Sequence, residues 1–232
     1  MTNLSNVVAL PFAEIWAEDF EWVPKLGERH DVVCYGAREL RSGRTLRLWR
    51  DQLGPTSPNR TDDQALFLSF VFNAEGASRL SLGWQLPAKV IDLSPLFRRV
   101  ANGRIVPQGK GLLGALAYYG IPSIDGVYKE KIRKLIMRGW PFTPEEKAEI
   151  LKYVMTDVDP LFELFSQLMA EPEFDLGTAL HWGEFVAVSA QMEHRGVPLD
   201  MEIIPDLLDK KAWAYVRDAV VPKINAQYDV YV

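Results

Sequence analysis

The sequence feature that most constrains the fold is an apolar run, LFLSFVF, over residues 66–72. A strand with one exposed face alternates apolar and polar side chains, whereas a strand covered on both faces is apolar throughout. The run therefore predicts a strand that is packed on both sides within a sheet. The chain has 232 residues, 48% of them hydrophobic, which suits one full domain of that kind and a smaller appendage.

The segments on either side of this run predict further strands of the same sheet. Three precede it with short connections, which favours an antiparallel meander, and one follows it after a short helix. The predicted strands cover residues 14–22, 31–38, 44–50 and 89–93, with a loop over 51–64, a helix over 75–82 and another from about Pro95. This order resembles the ribonuclease H-like architecture, an α/β fold in which a mixed sheet begins with a meander and is flanked by helices.

The second half of the chain predicts helices. One begins after Thr143, a suitable N-cap, because Pro144 stands at the first helical position and Glu146 completes a capping box. We expect Pro160 to kink or split this helix. Other helices are predicted over 111–121 and 129–138 and, after a linker at 170–175, over 176–232 with a turn at 195–198.

Two pairs of side chains stand out within these elements. Asp19 and Glu21 are two positions apart on the first predicted strand, so both point to one face. Adjacent carboxylates repel each other unless a cation binds between them. Tyr153 and Asp157 are four positions apart on the capped helix and therefore share one face of it. Either pattern alone is common by chance, and each is compatible with ordinary surface residues.

The order of these patterns along the chain resembles that of the DEDDy exonucleases, the proofreading domains of family A DNA polymerases and their relatives. The resemblance covers about residues 13–169. Phage and prophage polymerases of the polymerase I type are similar to the segments GERHDVVCYGARELRSGRTLRLWRD, LGWQLPAKVIDLSPLFR, GKGLLGALAYYGI and RGWPFTPEEKAEILKYVMTDVD. The segment FVAVSAQMEHRGVPLD resembles the opening of the polymerase part, so we expect 176–232 to be a helical segment of that origin. The fingers and palm signatures of a polymerase do not follow it.

The resemblance implies a metal-dependent 3′→5′ exonuclease that releases nucleoside 5′-monophosphates from the 3′ end of single-stranded DNA. It implies that Asp19, Glu21 and Asp157 hold two divalent ions, Mg²⁺ or Mn²⁺, which prefer oxygen ligands. It also implies that Tyr153 orients the attacking water.

The second acidic motif departs from the usual pattern of Asn followed four positions later by Asp. Counting from Asn73 leads to Ala77, which cannot bind a metal. The phage relatives use a glutamate at a set distance from Leu-Gly-Trp, here 82–84, and that distance leads to Glu75. We therefore expect Glu75 to be the fourth metal ligand, the alternative being a surface glutamate in the first turn of a helix. Asp92 is expected either to support the site from outside or to be a simple strand-end residue.

The formal net charge of −5 argues mildly against a nucleic-acid binder, but an acidic metal site and local basic strips are compatible with it. Basic residues form three sets, and the third is our choice for contact with a nucleic-acid strand because it precedes the helix of Asp157. Charged runs are more often solvated faces. The sets are Arg38, Arg41, Arg44, Arg47 and Arg50; Arg98, Arg99, Arg104 and Lys110; and Lys129, Lys131, Arg133, Lys134 and Arg138.

Other residue types exclude several classes of site. Cys34 is the single cysteine, so an internal disulfide and a thiolate metal site are excluded, and we expect it to be buried. His30, His181 and His194 fit no metal spacing and are expected to be structural or surface residues. The first eleven residues do not form a signal peptide and no apolar stretch approaches a membrane span, so we expect a cytoplasmic protein.

Two other functions remain open. One is an RNA exonuclease resembling ribonuclease D, and the other is a catalytically weak domain that only binds single strands or a polymerase partner. The chain is compatible both with a part of a polymerase, whose polymerase domain lies outside it, and with a free-standing exonuclease.

Overall fold

The computed structural model of the chain describes residues 4–24, 29–198, 200, 202 and 204–230. It contains two compact units, Met1–His194 and Arg195–Val232. The sheet lies in the first unit. No helix among the described residues combines the length and the apolarity that crossing a membrane requires.

Five strands form one mixed sheet in the order β3-β2-β1-β4-β5. The first three are antiparallel neighbours and form the predicted meander, whereas β4 runs parallel to both β1 and β5. Parallel neighbours require a crossover connection, which a helix supplies between β4 and β5. The mixed α/β sheet flanked by helices confirms the predicted fold class. The strands are β1 (Glu14–Val23), β2 (Asp31–Glu39), β3 (Thr45–Trp49), β4 (Ala65–Ser69) and β5 (Lys89–Asp92).

All five residues of β4 are buried, which confirms that the apolar run lies inside the fold. The predicted end of this strand at residue 72 is wrong, because the chain turns after Ser69. Val71 has a left-handed φ of 76°, and Phe72 already begins α2 (Phe72–Ser81), three residues earlier than predicted. An apolar run does not by itself separate a buried strand from the buried start of a helix.

The remaining helices of the first unit cover the sheet. The capping box of Thr143 and Glu146 is present, and Pro160 separates two helices, so both predictions are confirmed. The predicted helix over 129–138 begins earlier because the Asp125 side chain accepts a hydrogen bond from the Tyr128 amide and caps it. These helices are α1 (Ser5–Val8), α3 (Leu93–Val100), α4 (Leu112–Tyr118), α5 (Gly126–Arg138), α6 (Pro144–Val158), α7 (Leu161–Met169) and α8 (Leu176–Arg195), and a 3-10 turn spans Arg50–Gln52.

The sheet separates two apolar clusters, and β1 contributes alternate residues to each. Ile15 and Ala17 belong to the cluster that contains buried residues of α5, α6 and α7. Trp16 and Phe20 belong to the cluster that contains Phe72 of α2. Because side chains alternate along a strand, Asp19 and Glu21 continue the first row and point towards the side of α5 and α6.

Helix α8 packs closely on β5 and on α2. A Cβ atom on Gly183 would lie 1.9 Å from the carbonyl oxygen of Val90, so only glycine allows this approach to the strand. A Cβ atom on Gly76 of α2 would lie 2.8 Å from the Cβ of Ala190. The boundary between the compact units therefore falls near the end of α8, between residues 194 and 195. The domain bounds 13–169 and 176–232 remain a prediction from the resemblance.

The second unit is helical where it is described, in agreement with the helical segment expected there. The turn predicted at 195–198 is present, since α8 ends at Arg195 and Gly196 has a φ of 69°. Beyond it lie α9 (Ile204–Leu208), α10 (Lys210–Tyr215), a π-helical stretch (Val216–Val220) and α11 (Val221–Tyr228).

Candidate metal centre

Asp19 and Glu21 lie on the second half of β1, and both are half-buried. Their partners on β2 are Gly36 and Cys34. A Cβ atom on Gly36 would lie 2.8 Å from Val154 Cγ1, so the glycine lets α6 approach the sheet beside the two acids. The pairing register of β1 with β2 shifts directly after Glu21, and such irregularities re-aim side chains at functional sites.

Helix α6 brings Asp157 to the same place. One carboxylate oxygen from each of Asp19, Glu21 and Asp157 lies within 4.8 Å of the others. Tyr153, one turn earlier, is 2% exposed, and its hydroxyl donates to Asp157 Oδ2 at 3.4 Å. The structure thus brings together four of the predicted site residues. Among the described residues, these three acids are the one group of metal-ligating side chains spaced to hold an ion.

Glu75, on α2, lies beside Asp19 but outside the group of three acids that are spaced to hold one ion. The pairing of β1 with β4 ends at Ala17 and Leu68, and the first turn of α2 lies beyond the end of β4. Glu75 is 2% exposed there and interacts directly with Asp19. Its Oε2 atom has no hydrogen-bond donor among the described residues. The surface alternative for Glu75 is therefore wrong, and the buried oxygen without a donor is the kind of atom that a cation would satisfy.

Lys129 of α5 also enters the site. Its Nζ atom donates to Asp157 Oδ2 at 2.5 Å and lies 5.7 Å from the centre of the Tyr153 ring. Its side chain is 18% exposed and that of Asp157 is 13% exposed. The sequence placed Lys129 in the third basic set but missed this ion pair, because no local pattern links α5 to a residue of α6.

The electrostatics of the site favour the binding of positive charge. Burial and, next, the Asp157 carboxylate raise the pKa of Asp19 to about 8, although Lys129 lowers it. Burial and the Asp19 carboxylate raise the pKa of Glu21 and that of Glu75 well above the ordinary range. Without a cation the cluster therefore retains protons at neutral pH, and a bound cation would displace them.

Asp92 does not join the acidic cluster. Its Oδ1 accepts hydrogen bonds from the amides of Val71 and Ser94, and its Oδ2 accepts one from the amide of Phe72. It caps α3 and also holds the left-handed turn that begins α2, three residues before Glu75. Asp92 is also the last residue of β5, so these contacts are compatible with both expectations for it, support of the site from outside and a strand-end role.

The other candidate groups lie elsewhere or have partners of their own. His30 stacks on Trp22 with ring centres 4.3 Å apart, and His181 lies beside Glu184 on α8. Most of the first and second basic sets bind backbone oxygens, ring systems or single acids. Such contacts are those of Arg38 with Asp159, Arg41 with the Leu10 and Phe12 carbonyls, Arg50 with Asp31, Arg99 with the Glu173 carbonyl and Arg104 with Tyr118. Cys34 is buried, as expected.

The donor set fits hard divalent cations. Carboxylate oxygens are the ligands that Mg²⁺ and Mn²⁺ prefer, and they come here from Asp19, Glu21 and Asp157, with Glu75 beside Asp19. The close approach of these acids is unfavourable when no cation is bound. The buried Glu75 oxygen, which accepts no hydrogen bond from the described residues, is unfavourable for the same reason. The arrangement can therefore hold cations against an anionic substrate.

Comparison of the fold with solved structures gives matches among ribonuclease D enzymes. The Escherichia coli RNase D, an exoribonuclease involved in structured RNA processing, matches with a TM-score of 0.54 and 18% identity over 82% of this chain. The Trypanosoma brucei RNase D in complex with RNA U12 matches with a TM-score of 0.59 and 14% identity over 85% of this chain and 70% of that one. This chain spans about half of the E. coli enzyme, 47% of its length.

Because the identities are low, these likenesses establish the fold alone. No model of a protein family matches the sequence, and no curated protein matches it at a significant level.

Proposed function

We propose that this chain is a metal-dependent 3′→5′ exonuclease that acts on single-stranded nucleic acid. The observation that carries the proposal is the convergence of Asp19, Glu21 and Asp157 within 4.8 Å, with Glu75 and Tyr153 beside them, on a ribonuclease H-like sheet. RNase D enzymes are among the solved structures that match this fold, which agrees with an exonuclease.

The proposed chemistry is hydrolysis of the terminal phosphodiester bond. Two divalent ions, Mg²⁺ or Mn²⁺, would supply Lewis acidity for water activation and for stabilising the leaving oxygen. Asp19, Glu21, Asp157 and Glu75 would hold them. The Tyr153 hydroxyl, already directed at the Asp157 carboxylate, would orient the attacking water. Burial and Asp157 raise the pKa of Tyr153, so the phenol stays protonated and can donate a hydrogen bond.

Helix α5 supplies the cationic side of the proposed substrate path. Arg133 stands one turn after Lys129, and together they line a recess of about 260 Å³ near the start of α4. Arg133 also lines a second recess of about 270 Å³ with Glu21 and Trp22. Arg133 lies 3.6 Å from Glu130, and Lys131 lies 3.5 Å from Glu149 outside both recesses. We therefore assign contact with the phosphate backbone to the Lys129 and Arg133 face of the third basic set.

DNA is the substrate that the sequence resemblance to polymerase proofreading domains favours. RNA is the second candidate, because RNase D enzymes are among the similar solved structures and one of them holds RNA. A polymerase domain outside this chain is a further proposed partner, since 185–200 resembles the opening of such a domain.

The test uses a single-stranded DNA and an RNA of the same sequence, each labelled at the 3′ end or at the 5′ end, with Mn²⁺ or EDTA. We expect Mn²⁺-dependent release of labelled nucleoside 5′-monophosphate from the 3′-labelled DNA and a ladder that shortens from the 3′ end of the 5′-labelled DNA. Faster loss of the RNA would replace DNA by RNA as the substrate. Binding of both strands without cleavage, equal in the wild type and in Asp157→Asn, would show a binding module and contradict the proposal.

A further inference from the structure

Behind β1, on the side opposite the acidic cluster, lies an ion pair with no solvent exposure. The side chains of Glu18 and Arg79 are both 0% exposed. Arg79 Nε donates to Glu18 Oε1 at 2.9 Å, and a second guanidinium nitrogen donates to Glu18 Oε2. Tyr35 also donates to Glu18 Oε2, at 2.9 Å. The contact is therefore a two-pronged, charge-assisted pair with little freedom of rotation.

The guanidinium of Arg79 also holds segments outside β1. Its Nη1 atom donates to Ser57 Oγ at 3.2 Å, in the loop before β4. Its centre lies 4.7 Å from the centre of the Phe67 ring, on β4. Arg79 thus fastens α2 to β1, to β4 and to the preceding loop at one point.

This fastening point is adjacent to the metal ligands on both partners. Glu18 directly precedes Asp19 on β1, and Arg79 follows Glu75 by four residues on α2, which places both on one side of the helix. The Glu18–Arg79 pair therefore joins β1 one residue before Asp19 to α2 one turn after Glu75. In this way it fixes the distance between the Asp19 and Glu75 carboxyl groups.

We propose that Arg79, through its pair with Glu18, is a positioning residue that sets Glu75 against Asp19 and so determines how tightly the site binds divalent cations. The inference rests on the proposed function, because it assumes that these two acids are metal ligands. This chain has Ala77 at the position where the resemblance would place the second acid. A fixed α2 explains how Glu75, two residues earlier, can serve as the metal ligand instead.

A role in stability alone explains the pair poorly. Removing two charges from water is unfavourable, and apolar residues of similar size often replace a buried ion pair without loss of stability. A directed pair does what an apolar contact does not, since it fixes the rotation and height of α2 relative to β1.

The experiment compares Mn²⁺ affinity, measured by electron paramagnetic resonance or calorimetry, in four full-length proteins. These are the wild type, Glu75→Gln, Glu18→Leu/Arg79→Met, and the combination of all three changes. The double substitution removes both charges and leaves neither unpaired. We expect it to weaken Mn²⁺ binding about tenfold or more, as loss of contacts that orient a ligand does. Because Arg79 acts through Glu75, we expect the double substitution to have little further effect in the Glu75→Gln background.

Leu164→Ala, in the buried core of α7, is the control for general destabilisation, and we expect it to lower the melting temperature without changing Mn²⁺ affinity. If the double substitution does not fold, Arg79→Lys serves in its place; it keeps a cation beside Glu18 but loses the two-pronged contact, and should weaken Mn²⁺ binding to a smaller extent. Wild-type-like Mn²⁺ binding in the folded variant, or a loss that is fully additive with Glu75→Gln, overturns the inference alone. Failure of the wild type to bind Mn²⁺ overturns the proposed function as well.

Discussion

Replacement of Asp19 by asparagine is predicted to stabilise the metal-free protein while it abolishes nuclease activity. Two unit charges 4.8 Å apart repel by about 3.5 kcal/mol at an effective dielectric constant of 20 and by about 0.9 kcal/mol in bulk water. Asp19 is half-buried and has two such neighbours, Glu21 and Asp157, but Lys129 neutralises part of their charge and the raised pKa of Glu21 lowers its ionised fraction. We therefore expect a net gain of about 1–2 kcal/mol, or about 2–8 °C in melting temperature for a chain of this size.

The assay is thermal unfolding at pH 8.5 in EDTA and in excess Mn²⁺. The wild type should gain stability with Mn²⁺ because only the native state binds it, whereas Asp19→Asn should gain much less. Asp63→Asn, in an exposed loop, makes the same chemical change away from the site and should behave like the wild type. A lower melting temperature of Asp19→Asn in EDTA, or an equal response of both proteins to Mn²⁺, would refute this electrostatic reasoning.

Three further predictions concern the same site. Tyr153→Phe should lose most of its turnover while Mn²⁺ affinity stays near that of the wild type; an equal loss of affinity in a binding titration would point to a structural role. Glu75→Gln should lose activity strongly at low Mn²⁺ and recover part of it in excess, and full activity at limiting metal would remove Glu75 from the ligand set. Because the folded pKa of Asp19 is raised to about 8, the native state binds more protons than the unfolded chain between about pH 4 and 8. The stability of the metal-free protein should therefore fall as pH rises through that window, whereas Mn²⁺ affinity should rise; melting curves and titrations from pH 5 to 9 check both, and flat profiles would contradict the assignment.

Local patterns predicted those parts of the structure that depend on local interactions. The capping box of Thr143 and Glu146 involves residues three positions apart, and the face shared by Asp19 and Glu21 follows from strand alternation alone. The meander of the first three strands followed from their short connections, and the apolar run restricted β4 to a buried position. These features depend on contacts within one element, or on burial, which the apolar composition of a segment indicates.

The features that the sequence did not predict depend on contacts between distant elements. The end of β4 is set by the left-handed turn at Val71, which Asp92 holds from another strand. The ion pair of Lys129 with Asp157 joins residues 28 positions apart, on two different helices. Glu18 interrupts the apolar side chains on one face of β1, and a buried carboxylate at such a position requires a charged partner. The identity of that partner, Arg79, follows only from the fold.

The central claim is that Asp19, Glu21, Glu75 and Asp157 form a divalent-metal site. Anomalous X-ray diffraction from crystals grown with Mn²⁺ tests it most directly, because the scattering locates the ions independently of activity. We predict anomalous peaks at about 2.1–2.2 Å from carboxylate oxygens of these four residues, with Lys129 moved away from Asp157. Crystals of the folded protein that show no peak among these carboxylates, or peaks that Glu75 and Asp157 do not contact, would contradict the claim.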